Sequence, residues 1–250
     1  MKIAVIGGTG LVGRKLVSRL RQAAHEVVVA ARSTGVDLVG NYGLNEALDG
    51  AKVVVDVSNS GYANVEGMQA FFEQAGANLL AAARKAEVAH LIALSAVGAN
   101  LLDSGFYRAK RTREELISAS GMPFTILRST PLFEFIHHIV DAGGEGDLIR
   151  LPPVSMQPVA ADDVARLLAD IVADRPANQI IEIAGPDYVG LPELALEILA
   201  ANEDMRRIIV DPAAFYLGAR FDREPLTGGD HPMLASTGFE AWLRDWIASA

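Results

Sequence analysis

The sequence has no cysteine and no long apolar run. Without cysteine, the chain has no disulfide, no thiolate metal site, no iron–sulfur cluster and no cysteine nucleophile, and it fits a reducing compartment. No segment reaches the roughly 18 apolar residues that a membrane-spanning helix needs. The N-terminus starts directly with a strand pattern instead of a secretion signal, so we expect a cytoplasmic protein.

Basic residues are also scarce relative to acidic ones. The 250 residues include 22 Lys and Arg against 31 Asp and Glu, which gives a formal net charge of −9. Such a chain has no general attraction for nucleic acid or for an anionic membrane. We therefore expect its partner to be a small-molecule substrate, with neither nucleic acid nor membrane as a partner; both a monomer and a homodimer stay open.

Short apolar runs alternate with helical patterns over the first part of the chain. The runs are continuous, as in strands that are buried on both faces of a parallel sheet, and they cover residues 3–6, 27–29, 53–55, 91–94 and 124–127. This alternation predicts an α/β fold with a doubly wound parallel sheet of the Rossmann type. We assign residues 1–130 to its nucleotide-binding core. We assign residues 131–250 to a small C-terminal α/β annex on the substrate side, interleaved with the core in a single structural unit.

A glycine-rich loop joins the first strand to the first helix. It reads Gly7-Gly8-Thr9-Gly10-Leu11-Val12-Gly13 and contains Gly-x-Gly-x-x-Gly in the position where a dinucleotide fingerprint belongs. Glycines allow the tight turn and a close approach of the backbone to a pyrophosphate, and the helix N-terminus offers free N–H groups. The predicted phosphate-binding residues are Gly7, Thr9, Gly10, Leu11, Val12 and Gly13.

The end of the second strand indicates which dinucleotide binds. An NAD site usually has a carboxylate there, about 20 residues past the glycines, whereas this chain has Arg32 followed by Ser33 and Thr34. A guanidinium and two hydroxyls suit a 2′-phosphate. We therefore expect NADP(H) as the preferred cofactor, with NAD(H) as the alternative. Ser58 and Asn59, at the end of the third strand, are further expected cofactor contacts.

Several motifs together resemble the NmrA-like branch of the atypical short-chain dehydrogenase/reductase proteins, which bind NAD(P). Besides the glycine loop, the matching segments are residues 53–60, 94–98, 107–110, 121–128 and 157–165. The resemblance covers nearly the whole chain and implies a Rossmann fold. It does not specify a substrate, because the family includes reductases, quinone reductases and cofactor-sensing regulators.

The resemblance also implies a catalytic set. In active short-chain reductases, a Tyr-x-x-x-Lys pair and a Ser act together: the phenol donates a proton, the Lys holds the cofactor and lowers the phenol's pKa, and the Ser orients the substrate oxygen. Here Lys110 and Ser95 match, but Phe106 stands four residues before Lys110, and Tyr107 stands three before it. Either Tyr107 replaces the usual phenol, or the site keeps only Lys110, which then moves the proton itself or through water.

The segment after the fifth strand leaves the sheet at the edge where ligands gather. We expect Arg128 to contact the cofactor, and Phe133, Met156 and Phe215 to line an apolar substrate pocket. His137 and His138 are adjacent instead of four apart, so no metal site is predicted. Asp162 is expected to cap a helix.

The preferred function is an NADP(H)-dependent oxidoreductase that reduces a small carbonyl or quinone by hydride transfer. The alternative is a non-catalytic redox sensor that binds NAD(P), which Phe106 in the usual tyrosine position favours. An epimerase or isomerase with bound NAD is disfavoured by Arg32.

Overall fold

The computed structural model describes residues 1–60, 65–220 and 226–248. Its strands are β1 (Lys2–Ile6), β2 (Glu26–Ala30), β3 (Val53–Asp56), β4 (His90–Ala96), β5 (Phe124–Ser129), β6 (Gly144–Glu145), β7 (Leu148–Leu151), β8 (Ser155–Met156), β9 (Ile180–Ala184), β10 (Val189–Gly190), β11 (Arg207–Val210) and β12 (Met233–Leu234). Its α-helices are α1 (Leu11–Gln22), α2 (Leu44–Leu48), α3 (Val65–Lys85), α4 (Gly105–Ser118), α5 (Ile136–Ala142), α6 (Ala161–Ala173), α7 (Leu191–Ala201) and α8 (Phe239–Ala248).

The main sheet has seven strands in the order β12-β9-β5-β4-β3-β1-β2, and every pair in it is parallel. Alternate residues of β1 point to opposite faces, as the period of a strand requires. Ile3 and Val5 pack in the layer formed with α1 and α6, whereas Ala4 and Ile6 pack in the layer formed with α2, α3 and α4. The predicted doubly wound parallel sheet is confirmed.

The chain after residue 130 is divided between the main sheet and smaller elements. Strands β9 and β12 extend the main sheet beyond β5, and α6 packs on its face. The remaining strands form a three-stranded sheet, β11-β7-β6, and a two-stranded sheet, β10-β8. Residues of β7, β8, β10 and β11 pack with α5 and α7 in a separate apolar cluster. That cluster also includes Met68, Phe106 and Tyr107 from α3 and α4, so it adjoins the carboxyl-end loops of the main sheet.

The start of α6 differs from the sequence expectation. Ala160 is its N-cap residue and provides no side-chain cap. The Glu134 carboxylate instead accepts hydrogen bonds from the Ala161 N–H at 3.2 and 3.0 Å. Asp162 is paired with Arg19 of α1, so the expectation that Asp162 caps this helix was wrong. The cap comes from a residue 27 positions earlier, which local sequence does not show.

None of the helices in the described part of the chain combines the length and the apolarity needed to cross a bilayer.

Candidate cofactor and active site

The glycine loop turns tightly between β1 and α1. The Gly7 N–H donates to the Ala30 carbonyl at 2.8 Å, and the Gly10 N–H donates to the Gly7 carbonyl at 2.9 Å. Gly7 has a φ of +77°, and a Cβ there would lie 2.8 Å from Ser58 Cα. The loop therefore runs directly against the end of β3, and only glycine fits at its first position.

Gly13 lies in the first turn of α1, where it packs against the loop. A Cβ on Gly13 would lie 2.2 Å from the Gly7 carbonyl oxygen. Gly10 is the N-cap of α1 and makes no side-chain hydrogen bond, so no side chain caps the first amides of the helix. A helix start of this kind attracts an anion through its N–H groups and its dipole. The loop therefore fits the diphosphate of a dinucleotide.

A cavity of about 680 Å³ extends from this loop along the carboxyl ends of β1, β2, β3, β4 and β5. It brings together most of the predicted site residues: Gly7, Thr9, Gly10, Leu11, Val12, Arg32, Ser33, Ser58, Asn59, Ser95, Tyr107 and Lys110 all line it. A volume of this size is typical of a pocket that encloses a small-molecule ligand. Gly13 lies behind the lining, against Gly7.

At the end of β2, the cavity presents an exposed cation. Arg32 starts a short 3₁₀ helix, Arg32–Thr34, and its guanidinium makes no hydrogen bond or ion pair with any residue that the structure describes. The Ser33 hydroxyl lies 3.5 Å from the Thr9 hydroxyl. The Thr34 hydroxyl, in contrast, donates to the Val29 carbonyl at 2.8 Å and accepts from the Ala31 N–H at 2.9 Å. Thr34 therefore holds the turn, and Arg32 and Ser33 face the cavity.

Helix α4 supplies the residues of the expected catalytic set. Phe106 and Tyr107 both line the cavity and both are buried, with their rings in an edge-to-face contact 4.9 Å apart. Tyr107 and Lys110 are three residues apart and share one flank of the helix. The structure therefore brings Tyr107 and Lys110 to the same cavity, next to a phenylalanine in the usual tyrosine position.

Lys110 is 7% exposed and has no carboxylate within ion-pair distance among the described residues. Its Nζ lies 4.8 Å from the centroid of the Phe72 ring and 5.6 Å from that of the Phe106 ring. Burial, and then the positive charge of Arg113, lower the pKa of Lys110 to about 7, against weaker opposing effects of Asp56 and Glu114. Lys110 is therefore able to gain and lose a proton near neutral pH.

Two buried hydroxyls line the same cavity at the ends of β4 and β5. Ser95 is 6% exposed and Thr130 is 1% exposed, and the hydroxyl oxygen of each lacks a hydrogen-bond partner in the described part of the chain. A buried hydroxyl without a partner is costly, so both oxygens are available to a bound ligand. Ser95 was predicted. Thr130 was missed, although its place directly after a strand was a usable signal.

Besides Gly13 and Thr34, four further predicted residues do not line this cavity. Arg128 makes a bidentate ion pair with Glu114, at 2.9 and 2.6 Å. Phe133 is 1% exposed and stacks on Trp242, and Met156 is fully buried in the annex cluster. Phe215 is 56% exposed and lies under the Arg220 guanidinium. The structure therefore does not bring Arg128, Phe133, Met156 or Phe215 to the predicted site.

Other side chains take the place of those residues. Phe71 and Phe135 line the cavity, as do Leu132, Glu134, His138, Tyr216 and Leu217. His137 and His138 lie with their ring centroids 3.9 Å apart. Burial, and then the charge of His138, lower the pKa of His137. Across residues 1–60, 65–220 and 226–248, no three His, Asp or Glu side chains are grouped as metal ligands.

An ion pair beneath Lys110 was also missed. Arg113 pairs with Asp56, the last residue of β3, and both side chains are almost fully buried. The Asp56 carboxylate also accepts the Ser58 N–H at 2.9 Å. Arg113 follows Lys110 by three residues, so the helical spacing pointed to this position, but its partner lies 57 residues earlier in the chain.

Residues 7–175 match the NAD(P)H-binding family. The structure of MoeE5 in complex with UDP-glucose and NAD is similar, with a TM-score of 0.75 and 18% identity over 99% of this chain and 98% of that one. The dTDP-4-dehydrorhamnose reductase of Bacillus anthracis in complex with NADP has a TM-score of 0.70 and 11% identity over 100% and 99% of the two chains.

A third structure, the UDP-N-acetylglucosamine 4-epimerase from Bacillus cereus, has a TM-score of 0.63 and 18% identity over 84% of this chain and 88% of its own. No curated protein matches the sequence. At these identities, the structural likeness shows the shared Rossmann fold. Because the match spans well over half of this chain, the chain belongs to the NAD(P)H-binding family. This confirms the Rossmann family and the nicotinamide cofactor that the sequence predicted.

Proposed function

We propose that this protein is an NADP(H)-dependent oxidoreductase that reduces a small, apolar carbonyl or quinone-type acceptor. The observation that carries the proposal is the pairing of a buried Lys110, which lacks a carboxylate partner, with an unpartnered Ser95 hydroxyl in the cavity beside the glycine loop. When bound, the nicotinamide cofactor supplies the hydride. The Ser95 hydroxyl orients the acceptor oxygen, and Lys110 donates the proton that this oxygen takes up.

The cavity lining supports an apolar acceptor. The part formed by α3, α4 and the segment after β5 presents Phe71, Phe106, Leu132 and Phe135. Apolar and aromatic surface of this kind favours flat, uncharged molecules. The structural neighbours are named for UDP- and dTDP-sugars, so sugar nucleotides are the natural competing substrates.

The proposed reaction is tested by following NADPH absorbance with a panel of quinones, aldehydes and ketones, alongside dTDP- and UDP-4-keto sugars. We expect consumption with an apolar acceptor and none with the sugar nucleotides. Turnover confined to the sugar nucleotides would refute the acceptor class. No turnover with any acceptor, combined with unequal binding of NADP⁺ and NADPH, would instead support the redox sensor.

Two variants, Lys110→Met and Tyr107→Phe, test whether Tyr107 donates the proton. A general acid contributes about 10²- to 10⁴-fold to a rate, so we expect Lys110→Met to lower kcat by that factor. We expect Tyr107→Phe to lower kcat tenfold or less, because Lys110 supplies the proton. Steady-state kinetics with the best acceptor measure both. A loss in Tyr107→Phe equal to that in Lys110→Met would assign proton donation to the phenol.

Arg32 is proposed to select NADP(H) over NAD(H). The guanidinium lines the cavity at the end of β2 and has no partner in the described residues, while the nearby Asp37 carboxylate accepts the Val39 and Gly40 N–H groups. A charge-assisted bond to a 2′-phosphate is worth about 1.5–3 kcal/mol. Arg32→Ala should therefore weaken NADPH binding about 10- to 100-fold and leave NADH binding nearly unchanged.

Isothermal titration calorimetry with both cofactors measures this difference. Arg21→Ala is the matched control, because it removes the same charge from the far end of α1, outside the cavity. An equal loss of NADPH and NADH affinity in Arg32→Ala would reject the phosphate contact.

A further inference from the structure

The buried charges beneath Lys110 are all held by partners other than Lys110. Arg113 is 3% exposed and is anchored to the ends of two strands. Its guanidinium pairs with the Asp56 carboxylate, donates to the Asp56 carbonyl at 2.7 Å and donates to the Leu94 carbonyl at 3.4 Å. Arg113 therefore fixes α4 against the carboxyl ends of β3 and β4.

The second carboxylate of the cluster is held in the same way. Glu114 makes the bidentate pair with Arg128 of β5, and Arg128 also donates to Asn100 at 3.0 Å. Both acidic groups near Lys110, Asp56 and Glu114, are thus paired with arginine. The negative charges of Asp56 and Glu114 are therefore neutralised by the guanidiniums of Arg113 and Arg128.

Within the part of the chain that the structure describes, the Lys110 ammonium has no carboxylate partner and lies over the Phe72 and Phe106 rings. From α3 it contacts the uncharged Phe72 ring, which also lies 5.4 Å from the Arg113 guanidinium carbon. Among the described residues, the charged or titratable groups near Lys110 are Arg113, Glu114 and Tyr107 on its own helix, Asp56 on β3 and Arg128 behind Glu114 on β5. Of the two arginine–carboxylate pairs, Arg113–Asp56 includes the residue on the same helix as Lys110 whose own charge also acts on it.

We propose that Arg113 is a positioning residue for Lys110: by holding Asp56 in an ion pair, it denies Lys110 a carboxylate partner and keeps the Lys110 proton transferable. Removing the guanidinium leaves the Asp56 carboxylate buried and unpaired near Lys110. A buried, unpaired carboxylate is costly, so a positive charge on Lys110 becomes more favourable. Lys110 then holds its proton more tightly. Removing the carboxylate instead leaves the Arg113 cation uncompensated, which opposes a second positive charge on Lys110.

Nuclear magnetic resonance of ¹³Cε-labelled lysine tests this prediction on the protein without cofactor. The chain has five lysines, at positions 2, 15, 52, 85 and 110, and the Lys110 signal is the one absent from Lys110→Met. We expect Arg113→Gln to raise the pKa of Lys110 by about one unit or more, and Asp56→Asn to lower it. Arg113→Lys should restore a value near that of the wild type, because it keeps a cation beside Asp56.

Arg111→Gln is the control, because Arg111 lies on the same helix and pairs with Asp103 on a more exposed face. If Arg113→Gln and Asp56→Asn merely lost structure, the pKa of Lys110 would rise in both of them, because unfolding returns a lysine to its ordinary pKa. Opposite shifts therefore separate electrostatic positioning from damage. Shifts in the same direction, or no shift in either variant, would overturn the inference.

The inference rests on the proposed function only for its consequence in turnover. If an acceptor is reduced, the alkaline limb of the kcat–pH profile should move up in Arg113→Gln and down in Asp56→Asn. If no acceptor is reduced but the opposite shifts of the Lys110 pKa appear, the proposed reaction fails while the positioning role stands.

Discussion

Lys110→Met is expected to stabilise the protein at neutral and acidic pH while it removes the proton donor. Burial lowers the pKa of Lys110 from 10.5 to about 7. Each unit corresponds to about 1.36 kcal/mol, so folding with a protonated Lys110 costs roughly 3–5 kcal/mol relative to a neutral amine. Methionine has a similar length and no charge, and its sulfur packs favourably against the Phe72 and Phe106 rings.

The stability advantage of Lys110→Met over the wild type should decrease as the pH rises. Between pH 7 and pH 10.5 the unfolded chain holds a proton on Lys110 that the folded protein has lost, so the wild-type contribution to stability rises with pH. Below pH 7 both states are protonated and the full cost applies. The advantage of Lys110→Met should therefore be largest at pH 6 and should shrink progressively towards pH 10.

Urea unfolding at a series of pH values measures this difference. Lys85→Met is the control, because it removes a lysine from the exposed end of α3 and should show no comparable gain. Equal stability of Lys110→Met and the wild type at pH 6 would mean that the Lys110 ammonium is well solvated in the folded protein.

The second large effect is expected from Gly13→Ala. The new Cβ would lie 2.2 Å from the Gly7 carbonyl oxygen and 2.7 Å from Gly8 Cα, both of which are backbone atoms. Because backbone cannot rotate away, α1 must shift from the loop, and the amides of its first turn lose their alignment. Overpacking of this kind typically costs about 1–3 kcal/mol, and we expect cofactor affinity to fall at least about 100-fold.

Thermal unfolding and calorimetry with NADPH measure the two effects separately. Gly76→Ala is the matched control: it lies within α3, and its Cβ would meet only the Leu116 side-chain end at 3.2 Å. Alanine is a better helix former than glycine, so this control should keep both stability and binding. Unchanged NADPH affinity in Gly13→Ala would show that the cofactor does not depend on the loop geometry.

The sequence predicted the features that depend on local pattern. Continuous apolar runs predicted the first five strands within one or two residues, because burial on both faces leaves no polar alternation. The glycine spacing predicted the loop, since its tight turn admits only glycine at Gly7. Lys110 and Ser95 followed from the family resemblance, and the structure brings both to the cavity.

Long-range partners decided the features that sequence did not reveal. Arg128 was expected to meet the cofactor, but Glu114 lies on the neighbouring helix and holds it. Phe133 was expected in a substrate pocket, but Trp242, more than 100 residues later, covers it. Neither apolar character nor charge indicates which of several faces a side chain will meet. The Arg113–Asp56 pair is hidden for the same reason.

The position of β9 has a consequence for dividing this chain into parts. A fragment that ended near residue 130 would contain the glycine loop and the first five strands, yet it would leave the outer edge of β5 without the hydrogen bonds that β9 supplies at Ile126–Ser129. Bare strand edges recruit other chains and lead to aggregation. We therefore expect such a fragment to aggregate unless the later sequence that contains β9 is kept with it.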